Sequence, residues 1–188
     1  MKKRKHLTRE EIYSLLEAAR KGRHGLRNHC LIYLAWRHGF RISELLLLKV
    51  SDIDLSARNI FIRRLKNGFS TIHPFDEKEF LVISTWLAER SNYISAVRSE
   101  LLFLSERSPS LSRKQAWHIV KKSGYISGVS VQTHPHMLRH ACGYALANMG
   151  ADTRLIQDYL GHRNIRHTVR YTMGAASRFI KLMEAMEG

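Results

Sequence analysis

Apolar residues recur along most of the chain at spacings of three and four, the period of a helix that turns one face to a core. Thr8 and Glu11 stand as the hydroxyl and carboxylate of a capping box, and Ile12, Leu15, Leu16 and Ala19 follow at i, i+3, i+4 and i+7, which predicts a first helix. A glycine-containing link over 21–25 leads to a second helical pattern through Leu31, Leu34 and Ala35 that Gly39 closes. In RISELLLLKV, Leu45 and Leu48 turn inward while Arg41 and Glu44 share a face; as a surface i, i+3 pair they are worth ~0.2–0.5 kcal/mol. The runs 59–65 and 69–75 are β-rich and flank Lys66-Asn67-Gly68, and Asn-Gly between such runs predicts a hairpin with Lys66 at its tip. Asp76 caps a helix carrying Phe80, Ile83, Trp86 and Leu87, and residues 101–104 form a short apolar segment suited to a small strand. Ser112 and Gln115 open another helix through Trp117 and Ile119 to Lys122, with Gly124 and Gly128 in the loop beyond it.

Residues 133–172 are the densest part of the pattern. A helix starting near Pro135 brings His136, Arg139 and His140 to one side, leaves Leu138, Cys142, Ala145 and Leu146 on the buried stripe, and ends at Gly150. Asp152 is the N-cap of the next, whose stripe is Leu155, Ile156, Tyr159 and Leu160 and whose stop is Gly161. A stripe of Ile165, Val169 and Thr172 then leaves Tyr171 free to point elsewhere. Phe179, Leu182, Met183 and Met186 make an apolar face on a short terminal helix over 173–188, which is marginal alone and must pack against something. The elements predict one mainly α domain with a small antiparallel sheet, spanning 1–188 behind a basic arm over 1–7. No repeat, low-complexity segment or Pro-rich linker divides it.

Charge narrows the partner. Thirty-one Lys and Arg against sixteen Asp and Glu give +15, which points to a polyanion, nucleic acid first, with a merely basic surface as the plain rival. Cys30 and Cys142 are far apart inside apolar helical patterns and read as buried thiols. No apolar run approaches the ~20 residues a membrane span needs, and the basic start passes directly into an amphipathic helix, so a cytoplasmic, nucleoid-associated protein is expected.

A phosphodiester under attack gathers negative charge on its non-bridging oxygens, and arginine forks suit those oxygens in geometry and charge. Arg41 and Arg139 are the two candidate forks. Water or a hydroxyl could attack; among seven tyrosines, Tyr171 follows the cationic run of His162, Arg163, Arg166, His167 and Arg170, while Tyr159 falls on a core stripe. A phenol is only about 0.1% ionised at neutral pH, so it needs cations, a base such as His136, or both. A lysine at the Lys66 hairpin tip could protonate the leaving oxygen, although such a lysine is ordinarily solvated. His134-Pro135-His136 could ligate zinc, but no H-E-x-x-H or C-x-x-C accompanies it and Arg139 repels a cation; no phosphate-binding glycine loop occurs either. A His- and Arg-rich helix could also simply bind DNA.

Taken in order, G-F-R-I-S-E-L (Arg41, Glu44), R-L-K-N-G (Lys66), H-M-L-R-H (His136, Arg139), L-G-H (His162) and Tyr171 make the chain resemble the catalytic domain of the tyrosine recombinases, the phage integrase family. Within that family, RRLKNGFSTIHP and residues 133–172 look most like the fimbrial phase-variation DNA invertases, with a resolvase, a mobile-element integrase or a type IB topoisomerase-like enzyme as the alternatives that use the same chemistry. The resemblance implies that Tyr171 attacks a DNA phosphate to leave a 3′-phosphotyrosine and a free 5′-hydroxyl. Arg41, Arg139 and His162 hold the phosphate, His136 is the general base and Lys66 the general acid. It implies no cofactor and no metal. The partners it implies are double-stranded DNA with inverted repeats, a homotetramer on synapsed DNA that inverts a promoter-bearing segment, and accessory DNA-bending proteins. Lys2, Lys3, Arg4, Arg163, Arg166 and Arg170 are the candidate DNA contacts. The family's usual N-terminal core-binding domain is expected to be absent, and the tail helix over 173–188 to be exchanged between protomers.

Overall fold

The computed structural model describes residue 4, residues 6–64 and 70–173, and residues 183 and 186. Every sequence-level N-cap signal forms. Thr8 caps α1 (Arg9–Arg20), Asp76 caps α4 (Glu77–Arg90) and Ser112 caps α5 (Arg113–Ile126), each with a reciprocal carboxylate or amide three residues on. Asp152 caps α7 (Thr153–Leu160) by accepting from the N–H groups of Arg154 and Leu155. Among the described residues of 6–173 the other helices are α2 (Gly25–Arg37), α3 (Ile42–Leu45), α6 (Pro135–Asn148) and α8 (Arg166–Thr172), with short 3₁₀ turns at Val50–Asp52 and Ile94–Arg98.

The antiparallel sheet has three strands in the order β1 (Ile53–Asp54), β2 (Asn59–Ile62) and β3 (Thr71–Pro74). Ile60 pairs with Ile53 on one side and with His73 on the other. β1 is a strand too short for a periodicity to announce. Residues 101–104, expected as a strand, make only a single bridge, Lys49 to Leu101, while Leu102, Phe103 and Leu104 are fully buried. Gly124 lies inside α5 instead of in a loop, and it is glycine for packing, because the Thr133 side chain occupies the space where a Cβ would stand. The Lys66-Asn67-Gly68 tip and Lys2 and Lys3 lie outside the described residues, as does the tail apart from Met183 and Met186.

Helix α2 is the hub, packing on α1, α4 and α6. The main core runs from α1 through α2 and the sheet to α5 and the start of α6, with Leu15, Leu31, Leu34, Ile60 and Trp86 fully enclosed. A smaller core of Cys142, Ala147, Ile156, Leu160 and Tyr171 joins α6, α7 and α8. Both cysteines are buried free thiols, and burial pushes Cys142 up to about 12. Among the described residues no helix is long and apolar enough to cross a membrane.

Candidate active site

Arg41 sits at the N-cap of α3, and Glu44, one turn later, folds back to it. Arg41 Nη1 donates to Glu44 Oε1 at 2.8 Å and Arg41 Nη2 to the Gly161 carbonyl at 3.2 Å. The pair is no surface decoration: the Glu44 side chain is fully buried, and its other oxygen accepts from Nη1 of the equally buried Arg64 at 3.0 Å. Arg64 also donates to the Tyr159 carbonyl at 2.8 Å and lies 3.2 Å from His73 Nε2. Burial opposes ionisation of Glu44, but the two guanidiniums outweigh it and hold its carboxyl below the usual range. Arg64 went unremarked in the sequence, where it is one more arginine beside a hairpin.

Gly161 ends α7 in the left-handed region at φ 64°. A side chain there would be strained, and its Cβ would stand 2.6 Å from Arg64 Nε. The turn delivers His162, whose Nδ1 lies 2.8 Å from Thr168 Oγ1 and whose carbonyl accepts from Gln157 at 2.9 Å. Burial, then Arg139 and Arg41, drive the His162 imidazole down to about 3, so it is neutral at pH 7. Arg139, 5% exposed, donates to the Gly39 carbonyl and, at 2.8 Å, to the Leu160 carbonyl. Burial first and Arg41 second lower it to about 10. Arg139 therefore ties α6 to both the end of α2 and the end of α7.

Tyr171 departs from its expected freedom. The inward face of α8 is Thr168, Tyr171 and Thr172, with Ile165 exposed, because α8 presents its hydroxyl-bearing face to α6 and α7. In the same way Leu155 lies outside the α7 stripe, at 56% exposure, and Gln157 takes a place within it. On α6, Ala145 and Leu146 are half-buried, and Ala141, Gly143 and Ala147 join Leu138 and Cys142 inside. Tyr171 is 2% exposed, stacked on His162 with ring centroids 6.2 Å apart and edge-on to Tyr144 at 5.1 Å. Its hydroxyl lies 2.9 Å from Nδ1 of His140. Burial raises the phenol above its ordinary value, with Arg139 and Arg170 pulling the other way. Tyr159, read as core, is half-buried and donates to the Arg37 carbonyl at 3.0 Å.

Beside this cluster a cleft of about 1160 Å³ is lined by Arg41, His136, Arg113, Arg154, Arg163 and His167, with no acidic side chain among the described residues of its wall. His136 is exposed; partial desolvation, then His134 and Arg139, lower its imidazole. Arg113 and Arg154 were missed in the sequence because each is a single arginine at the start of an ordinary capped helix. Arg166 and Arg170 are exposed nearby, whereas Arg4 is drawn into an ion pair with Glu11. Among the described residues no three His, Cys, Asp or Glu side chains could hold a metal, and His134 and His136 keep their rings 6.5 Å apart. The arrangement brings buried Arg139 and Tyr171 together with half-buried Arg41 and His162 at a cationic cleft that Arg41 and His136 line. Lys66 belongs to the 65–69 segment and lies outside the described residues.

Residues 5–178 match the model of the phage integrase family. The chain is 56% identical over 186 residues to the type 1 fimbriae regulatory protein FimE of Escherichia coli K12, covering 98% of this chain and 93% of that one. It is equally 56% identical over 187 residues to FimB of the same strain, covering 100% and 93%. Among solved structures, it is similar to the XerA recombinase, with TM-score 0.82 and 26% identity over 95% of this chain and 64% of that chain. It is also similar to the XerH site-specific recombinase bound to its difH substrate in a pre-cleavage complex, with TM-score 0.78 and 26% identity over 90% of this chain and 50% of that one.

Proposed function

The chain belongs to the phage integrase family, and from that premise we propose that it is a site-specific DNA recombinase that inverts a promoter-bearing segment between inverted repeats and so switches fimbrial expression. It is an enzyme of DNA strand cleavage and rejoining, similar to the XerH site-specific recombinase seen in a pre-cleavage complex with its difH substrate. The observation that carries the reading is that Arg41 and Arg139, from separate elements, meet on the adjacent Gly161 and Leu160 carbonyls beside His162, whose ring stacks on Tyr171, the one tyrosine that follows them in the chain.

In this reading a scissile phosphate enters the cationic cleft at Arg41. Arg41 and Arg139 each keep guanidinium N–H groups beyond those given to carbonyls and Glu44, and these face the charge that develops on the non-bridging oxygens. His162, neutral and held by Thr168, donates to one of those oxygens, and His136 faces the phosphate from the cleft wall. Tyr171 attacks phosphorus, forming the 3′-phosphotyrosine, and Lys66 protonates the departing 5′-oxygen. The covalent linkage conserves the phosphodiester bond energy, so rejoining needs no nucleotide. Arg163, Arg166 and Arg170, with Arg113 and Arg154, contact DNA phosphates around the site. Four protomers on two synapsed sites exchange strands in pairs, with DNA-bending proteins assisting, in the nucleoid of the cytoplasm. Residues 173–188 are exchanged between protomers.

A non-cleaving DNA-binding regulator is the rival from another class. A nicked duplex carrying the repeats that flank the invertible segment separates the two. Wild-type protein should form a covalent adduct that maps to Tyr171 by mass spectrometry, and Tyr171→Phe should bind the duplex and form none. Binding with no modified residue in the wild type would support the regulator.

A further inference from the structure

One face of α6 aims the nucleophile. His140 and Gly143 lie three residues apart on that helix. The Tyr171 ring crosses Gly143 so closely that a Cβ there would stand 2.7 Å from Tyr171 Cζ, and the phenol oxygen ends 2.9 Å from His140 Nδ1. Tyr144 and His162 close the ring from its edge and its face, which fixes the direction of the hydroxyl. His136, one turn earlier on α6, opens into the cleft beside Arg41 and makes no hydrogen bond to Tyr171 among the described residues.

The groups facing His140 are Arg139, His134 and His136 from α6 and its start, and Arg170 from α8. Burial first, and then these cationic and imidazole neighbours, favour a neutral His140 ring. In the tautomer that carries its hydrogen on Nε2, Nδ1 is a lone-pair acceptor pointed at the phenol.

We infer that His140 takes the phenol proton of Tyr171 as its oxygen attacks the scissile phosphate, which leaves His136 to face the phosphate. The inference rests on the reading of this chain as a cleaving recombinase. In cleavage, Oη forms its bond to phosphorus and its proton passes to His140 Nδ1. The P–O5′ bond breaks with its electron pair on the 5′-oxygen, which takes a proton from Lys66. In rejoining, the 5′-hydroxyl attacks the phosphotyrosine, gives its proton back to Lys66, and His140 returns its own to the departing phenolate. A bound phosphate also offsets the cations around His140, which makes the imidazole a stronger base in the complex than in the free protein.

His140→Asn tests this directly, because an amide oxygen near the place of Nδ1 accepts the hydrogen bond and cannot hold the proton. On the nicked duplex, the full-length variant should bind DNA as the wild type does while its rate of Tyr171 adduct formation falls roughly 10²- to 10⁴-fold. His140→Ala should regain adduct formation when imidazole is added. Cleavage by His140→Asn at the wild-type rate reduces the contact to packing and overturns the assignment alone. A wild type that forms no adduct overturns the cleavage reading and the assignment with it. Should His140→Asn fail to bind DNA, ¹⁵N-histidine-labelled wild-type protein decides: His140 Nδ1 must be the unprotonated nitrogen, with a resonance that moves in Tyr171→Phe. A protonated Nδ1 overturns the assignment.

Discussion

Replacing Arg64 by Met tests the account of how the site is held. Arg64 and Glu44 have fully buried side chains with charged atoms 3.0 Å apart, and Arg64 also satisfies the Tyr159 carbonyl and His73. Met keeps much of the volume but strands the Glu44 carboxylate on Arg41 alone and leaves the Tyr159 carbonyl without its donor. Removing one partner of a buried ion pair costs about 3–5 kcal/mol, because the remaining charge stays desolvated. For a chain of this size each kcal/mol moves Tm by roughly 2–4 °C, so a fall of about 6–20 °C is expected in calorimetry. Glu44→Gln should be comparably destabilised, since it leaves the Arg64 guanidinium buried among a carbonyl and an imidazole. The double variant carries neither charge and should lie about 1–3 kcal/mol above the sum of the singles in urea unfolding. A loss below about 1 kcal/mol for Arg64→Met, or additivity within about 0.5 kcal/mol, would refute the reasoning and reduce the pair to incidental packing.

Three further outcomes follow from the same geometry. Gly143→Ala forces the Tyr171 ring to move; overpacking of this kind costs about 1–3 kcal/mol, and both stability and adduct yield should fall, whereas an unchanged adduct yield would mean the ring has room it is not shown to have. His73, 2% exposed, is held down to about 3 by burial, then His38 and Arg64, so the native state favours the neutral ring. Its contribution is therefore complete above about 6.5 and lost as pH falls toward about 3, amounting to about 2 kcal/mol between pH 6.5 and 5; urea midpoints that fall as steeply in His73→Gln would exclude it as the source. Lys66→Ala should slow cleavage, and a 5′-bridging phosphorothiolate, whose sulfur departs without a proton, should restore the rate; no restoration would remove Lys66 as the acid.

The sequence determined what is decided within a few residues. Thr8, Asp76, Ser112 and Asp152 cap their helices as their spacing predicts, because a cap satisfies N–H groups two or three positions away and needs no partner from elsewhere. Gly161 stops α7 for the equally local reason that its backbone must adopt positive φ. The short motifs around Arg41, Arg139, His162 and Tyr171 singled out candidate reacting groups, since chemistry restricts which residue types can do the work, and the fold brings these four side chains into one neighbourhood. What those groups touch was not legible. Tyr171 was set free by a stripe of Ile165, Val169 and Thr172, yet α8 is only seven residues long, and its packing on α6 and α7 chose the face of Thr168, Tyr171 and Thr172. The contact of Tyr171 with His140 joins residues 31 apart, and that of Arg64 with the Tyr159 carbonyl joins residues 95 apart. Arg64 reads in the chain as one arginine among many; only the closing of the sheet against the end of α7 takes it out of water and gives it Glu44 to neutralise. Periodicity reports which residues can share a face of their own element, while the partner of that face is set by the packing of whole helices, a property no local spacing records.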